Sequence, residues 1–157
     1  IPFHPIKNSL ALFISEILFR ALKQTEPDES LYHFLENSVR ALDCCDDGLA
    51  NFHLVFMLKL SRYLGFAPNS EGEEDKYFDL LNGVFIHEKP PHVHFIAANV
   101  NSDFIRIMQS DYVDMSAVSI SREDRFKLLE ALVEYYKLHV PEFYGLNSLP
   151  VLHALFD

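Results

Sequence analysis

Apolar positions recur in a helical rhythm over most of this chain and are densest between Asp47 and Pro68. Between Phe52 and Leu60 only His53 and Lys59 are polar. At about 3.6 residues per turn, Leu49, Phe52, Phe56, Leu60 and Tyr63 line up as one stripe, and Ala50, Leu54 and Met57 widen it. A helix this apolar is stable in water only when other elements cover it, so a central helix is expected at about 49–64. Gly65 supplies the permissive residue past its end, and Pro68 blocks continuation. The other face gathers Asn51, Val55, Leu58, Lys59 and Arg62 within about 100° of one another.

Upstream, Ile1–Lys7 with Pro2 and Pro5 reads as an extended linker. Asn8 or Ser9 is the expected cap of a first helix that carries Leu10, Phe13, Ile17 and Leu18 and ends near Thr25. Pro27 suits the start of a second helix, with Asp28 and Glu29 at its positive end. Leu31, Phe34, Leu35, Val39 and Leu42 give that helix a core face to about Asp43. Downstream, residues 69–76 form a polar, acidic loop. Tyr77–Ile86 reads as a hairpin turning on the pair Asn82-Gly83. The prolines in Glu88–His94 keep that loop out of a central strand. Helical spacing returns from about Asn101 with Phe104, Ile105, Ile107 and Met108, and more weakly over Tyr112–Val118. Ser121 opens a long helix bearing Phe126, Leu129, Leu132, Val133 and Tyr136, and Pro141 ends it. Ser148 is the expected cap of a short last helix, Leu149–Phe156. The expected fold class is mainly α: a compact multi-helix domain around the central helix, with a small β-hairpin inserted at about 77–87.

Composition narrows the function classes. With 157 residues and 49% hydrophobic content the chain is long enough for one domain with a real core, and five glycines argue against a turn-rich all-β fold. A net charge of −10 argues against a grip on nucleic acid through the overall field, though not against a local basic patch. The only cysteines, Cys44 and Cys45, are neighbours and make no disulfide framework, so a reducing cytoplasm is the expected setting. No apolar run reaches the length of a membrane span. The opening at Ile1, without Met, gives the expectation of a piece of a longer chain.

For chemistry, His87, His92 and His94 are the nearest thing to a metal cluster. Prolines separate them and no carboxylate stands at ligand spacing, so ordinary surface histidines are the better reading, with neither metal nor cofactor expected. His53, on the apolar helix, is expected to be a satisfied core histidine. There is no Gly-x-Ser-x-Gly, no glycine-rich phosphate loop and no activated cysteine, and Glu73–Glu74 sits in a solvated loop. The residues make no case for an enzyme. Lys59 and Arg62 beside Val55 and Leu58 suit a peptide carrying both acidic and apolar residues. The plainer alternative is a solvated face whose long side chains cover apolar surface. Arg122, Arg125 and Lys127 form a second basic cluster at the start of the long helix.

Three motifs taken together resemble the RecO family, in the region that follows its N-terminal OB-fold. The first is SEILFR–ALKQTEPDESLYHFLENSVRAL, Ser15–Leu42, similar to the family's E-L-x-x-R helix, acidic E-P-D linker and amphipathic helix. The second is FMLKLSRYLGFAP, Phe56–Pro68, similar to the pattern F-E-L-R-L-L-x-x-L-G-[FY]-x-P. LNSLPVL, Leu146–Leu152, is a weaker third, and YFDLLNGVF resembles the version in Bacteroides-type bacteria. Many members carry a four-cysteine zinc element after the second motif, but residues 69–91 contain no cysteine here, so zinc is not expected. The resemblance implies a linker at 1–7 from a missing OB-fold and a single RecO-like helical domain over 8–157. It also implies a non-enzymatic recombination mediator, cytoplasmic and associated with the nucleoid. Such proteins bind and anneal DNA and load RecA together with RecR and single-strand-binding protein. The helical region can take the acidic, Phe-ended tail of single-strand-binding protein. Lys59 matches the motif's Arg, while Arg62, Val55, Leu58, Asn51 and Arg20 are added to the expected peptide site by proximity and chemistry. The competing readings are a metal-dependent enzyme or sensor at the histidines, and an α-helical scaffold or ligand-binding domain.

Overall fold

A computed structural model describes residues 4–23, 25–26, 28–72 and 75–156. Among these are six α-helices and a small three-stranded antiparallel sheet. The centre is α3 (Leu49–Leu64), where Phe52, Leu54, Phe56, Met57 and Leu60 are wholly buried. Each such side chain removed from water contributes about 1.5–3 kcal/mol, so covering α3 dominates the packing. The helices α1 (Pro5–Ala21), α2 (Glu29–Cys44), α4 (Ala98–Met108) and α5 (Arg122–His139) all pack on it, as does a single 3-10 turn at Met115–Ala117. The last helix, α6 (Leu149–Leu155), packs on α1.

The ends of α3 are set by glycines. Gly48 has φ of 77°, and a Cβ there would stand 2.9 Å from the Ser116 backbone nitrogen. Gly65, at φ 89°, closes the other end and donates to the Arg62 carbonyl, while Phe66 donates to that of Ser61. Phe66 then turns inward against Tyr135, Tyr136 and His139.

Several boundaries differ from the sequence expectation. Helix α1 begins at Pro5, not after Asn8 or Ser9, because His4 Nδ1 accepts from the Lys7 amide at 3.2 Å and proline fits the first helical turn. Its end comes at Ala21, earlier than Thr25. The remainder of the expected linker, residues 1–3, lies outside the described residues, as do Pro27 and the pair Glu73–Glu74. Asp28 is the cap of α2 rather than part of its first turn, accepting from the Ser30 amide at 2.9 Å. Ser148 does not cap α6 by its hydroxyl; that group donates to Glu16 at 2.7 Å and ties the helix to α1. Val39 is 53% exposed, Tyr63 43% and Phe126 37%, so these three leave the expected core faces. Tyr63 instead stacks on Phe34, ring centres 4.6 Å apart.

The hairpin forms at the expected place but with a longer loop. Strand β1 (Tyr77–Asp79) pairs with β2 (Val84–Ile86) in the register Phe78 opposite Phe85 and Asp79 opposite Val84. Four residues therefore connect them, not two. Asp79 holds that loop by accepting from the amides of Leu81 and Asn82 at 2.9 and 3.1 Å. A third strand, β3 (Phe95–Ile96), lies on the other side of β1 and was not anticipated from the proline-rich loop before it. Helix α4 starts three residues before Asn101, and Tyr112–Val118 contains only the 3-10 turn.

Asn51 shows why a polar residue sits in the apolar run. It is 4% exposed and its amide donates to the carbonyls of Met115 and Val118 at 3.0 and 2.9 Å, pinning the 3-10 turn to α3. Asn51→Ala removes both bonds and opens a small void, and urea unfolding should show a loss of about 2 kcal/mol with the fold retained.

Candidate peptide-binding groove

Beside the second half of α3 runs a groove of about 360 Å³, bounded across from it by the end of α4 and closed at one end by Ala67, Pro68 and Ser70. Val55 and Leu58 form its floor and are 1% and 6% exposed. They lie there because they project toward α4, where Ile107 and Met108 complete the apolar lining. Lys59 and Arg62 stand on the rim one turn apart.

The rim is not electrostatically empty. Lys59 Nζ lies 3.1 Å from Asp111 Oδ1 and 5.4 Å from the centre of the Tyr112 ring. Tyr112 is fixed in turn, stacked on Phe52 with centres 4.7 Å apart and sharing a 2.8 Å hydrogen bond with Ser38. Burial raises the pKa of the Tyr112 hydroxyl, which keeps it neutral. Burial likewise raises the Asp111 carboxyl, but the Tyr112 amide, Lys59 and Arg62 overcome it and hold the pKa below its ordinary value. Asp111 thus supplies Lys59 with a counter-charge from within the chain. Arg62 is exposed and forms no ion pair within 4 Å among the described residues.

The structure divides the expected site residues. Val55, Leu58, Lys59 and Arg62 share the groove. Asn51 does not face it as a contact residue; it is buried and its amide is engaged by the 3-10 turn. Arg20 is elsewhere, paired with Glu16 at 3.6 Å and lining a separate cavity with Leu64, Phe66 and His139. A helical wheel of α3 shows its own faces but not what covers them, which is why Asn51 looked available. Met108 and Asp111 were missed because they come from α4 and the turn after it, about fifty residues along the chain.

The histidines also separate. His92 Nε2 sits 3.0 Å from Asp79 Oδ1, misaligned for a hydrogen bond, and its Nδ1 accepts from the His94 amide at 3.1 Å. His94 pairs with Glu134 on α5, and the exposed His87 is 3.9 Å from Asp75. Among the described residues, no group of three or more His, Cys, Asp or Glu is arranged to hold a metal ion. His53 is buried as expected, but it is not satisfied: its Nδ1 has no hydrogen-bond partner. Cys44 and Cys45 are free thiols, the first exposed and the second half-buried. No helix among the described residues is long and apolar enough to cross a membrane.

Asp79 gives this region a pH dependence. Burial raises its carboxyl, while the Asn82 side chain and amide and the nearby His92 outweigh that and lower it below 3.8. A folded-state pKa below the unfolded one contributes stability that is complete above 3.8 and is lost as pH falls through the lower, folded value. Asp79→Asn should therefore cost about 1–2 kcal/mol in urea unfolding at pH 7. The difference from the unsubstituted chain should shrink as unfolding is repeated below pH 3.8.

Comparison with known proteins adds the context for the groove. Residues 3–150 match the family described as "Recombination protein O C terminal". A "DNA repair protein RecO" of Phocaeicola vulgatus is 40% identical over 158 residues, covering 100% of this chain and 66% of its own length. Its namesake from Azobacteroides pseudotrichonymphae is 36% identical over 155 residues, covering 98% of this chain and 64% of its own length. One from Bacteroides fragilis is 38% identical over 159 residues. The chain thus spans just under two thirds of the length of these relatives. No solved structure matches it.

Proposed function

This chain belongs to the RecO family of DNA repair proteins, and on that premise we propose that it is the helical part of a recombination mediator working through protein contacts rather than catalysis. The observation that carries the reading is the groove in which Lys59 and Arg62 border an apolar floor of Val55, Leu58 and Met108. Its occupant in this proposal is the acidic, Phe-ended tail of single-strand-binding protein. The aromatic end enters over Val55 and Leu58, and the acidic residues meet Arg62 and displace Asp111 from Lys59. RecR is the second proposed partner. DNA contact is assigned to an OB-fold in the further third of the relatives' length, consistent with the net charge of −10 on this part. The setting is the bacterial cytoplasm, at the nucleoid.

The expected strength is modest. Burying a terminal Phe contributes about 1.5–3 kcal/mol and each exposed ion pair up to about 1 kcal/mol. Asp111 reduces the second contribution, since its bond to Lys59 must be exchanged rather than added. These contributions correspond to an affinity from about millimolar to sub-millimolar, suiting a partner that has to be released.

Fluorescence anisotropy with a labelled acidic peptide ending in Phe is the test. Lys59→Glu should weaken binding at least about tenfold while circular dichroism remains unchanged. Asp111→Asn should tighten it about three- to fivefold by freeing Lys59 and removing a competing carboxylate. Unchanged affinity in Lys59→Glu would remove the groove from the proposal. Single-stranded DNA should bind this chain far more weakly than the peptide.

A further inference from the structure

Where the end of α1 passes the start of α2, a groove of about 490 Å³ opens at the surface. Leu22, the residue that closes α1, and Leu31 and Leu35, one turn apart on α2, form its apolar floor. Leu31 is buried, whereas Leu22 and Leu35 keep part of their surface open. Tyr32 stands beside them and is 64% exposed. Two turns farther along α2, Val39 continues the same face. Single exposed apolar side chains need no explanation, but a contiguous apolar floor marks a surface that another molecule covers.

The rim of this groove is acidic. Glu26, Asp28 and Glu29 border the floor, and no lysine or arginine lines it among the described residues. Two of the carboxylates have local duties. Asp28 accepts from the Ser30 amide at 2.9 Å, and Glu29 lies in the first turn of α2, where a negative charge favours the positive helix end. Neither duty neutralises the rim, because a helix end supplies only about half a unit of charge against three carboxylates. The Glu29 side chain is 90% exposed and has only His33 near it, at 3.6 Å. Glu26 is exposed and forms no ion pair within 4 Å among the described residues. Lys23, three residues before it, sits instead over the Phe19 ring at 5.2 Å.

Both walls are helices, with backbone groups bonded within each helix, so an extended chain laid here would find no ladder for its own polar groups. A helix brings those groups already paired. We propose that the seam between α1 and α2 docks a basic amphipathic helix of a partner protein. Its large apolar side chains lie on Leu22, Leu31 and Leu35, and its lysines or arginines face Glu26, Asp28 and Glu29. A second copy of this chain is a poor occupant, because each copy carries a net charge of −10 and the two would repel. The seam shares no lining residue with the groove on α3 and takes the opposite charge, so it does not depend on that reading.

Fluorescence anisotropy with a labelled peptide of leucine and lysine at amphipathic helical spacing tests the seam. Glu26→Lys should weaken binding about fivefold, and Tyr32→Ala by a similar factor, with circular dichroism unchanged in both. Glu88→Lys makes the same change in net charge at an exposed residue that does not line the seam, and should leave the affinity within about twofold. In the unsubstituted chain, backbone amide NMR should show the peptide moving Leu22, Glu29, Tyr32 and Leu35, a readout independent of how any variant folds. An equal loss in Glu88→Lys would reduce the binding to the overall field and overturn the proposal. Equal affinity for the same residues in scrambled order, or for an analogue with glutamine in place of lysine, would overturn it as well. So would shifts centred away from the seam, or a dimer of the chain alone that Tyr32→Ala dissolves in sedimentation.

Discussion

The burial of α3 on nearly every side is the constraint from which the rest of the structure follows. Its residues from Asn51 to Leu58 are all buried, and no single neighbouring helix can cover a cylinder that is apolar around so much of its circumference. The solution is a surrounding cage, with α1 and α2 before it in the chain and α4, the 3-10 turn and α5 after it. Several polar groups of this helix, though not His53, are engaged from inside. Asn51 bonds the 3-10 turn, Ser61 donates to the Leu58 carbonyl at 2.6 Å, and Tyr136 of α5 donates to the Met57 carbonyl at 2.5 Å. The bonds of Asn51 and Tyr136 orient the cage where apolar contact alone would leave it free to slide.

Two of the openings in that cage derive from how it is assembled. Helix α4 ends at Met108, and between its end and α3 Val55 and Leu58 line a groove with Lys59 and Arg62. At the opposite side, α5 starts beside His53 and α6 is only seven residues long, so the first turn of α5 and the tail of α6 meet over a void. The two openings differ in chemistry. The groove has cations with an internal counter-charge in Asp111, whereas the small cavity brings His53 and His153 together with Phe126 and Phe156. The first suits an exchangeable acidic partner.

Much of the fold was legible because its signals were local. The extent of α3, with Gly48 and Gly65 at its ends, the long α5 behind Ser121 and the hairpin around Asn82-Gly83 are all written in adjacent residues. What escaped notice depended on distant ones. The third strand is two residues long and exists only because β1 has a free edge to pair with. Ser148 looks like a cap until Glu16, 132 residues away, draws its hydroxyl elsewhere. The candidate site was half legible for the same reason: the apolar spacing identified Val55, Leu58, Lys59 and Arg62, but not that α4 leaves a groove over them or that Asp111 answers Lys59. Arg20, grouped with them on charge alone, faces a different cavity. Family membership supplied what neither periodicity nor packing contains, namely a biological setting in DNA repair.

The central claim is that the groove along the second half of α3 is where this domain meets its partner. Backbone amide NMR of the isotope-labelled chain, titrated with an acidic peptide ending in Phe, tests it most directly. The account predicts shifts concentrated at Val55, Leu58, Lys59, Arg62 and Met108–Asp111, with Lys59 and Asp111 moving together as their pair is exchanged. Shifts centred instead on Arg20, Phe66 and His139, or scattered without a centre, would contradict it.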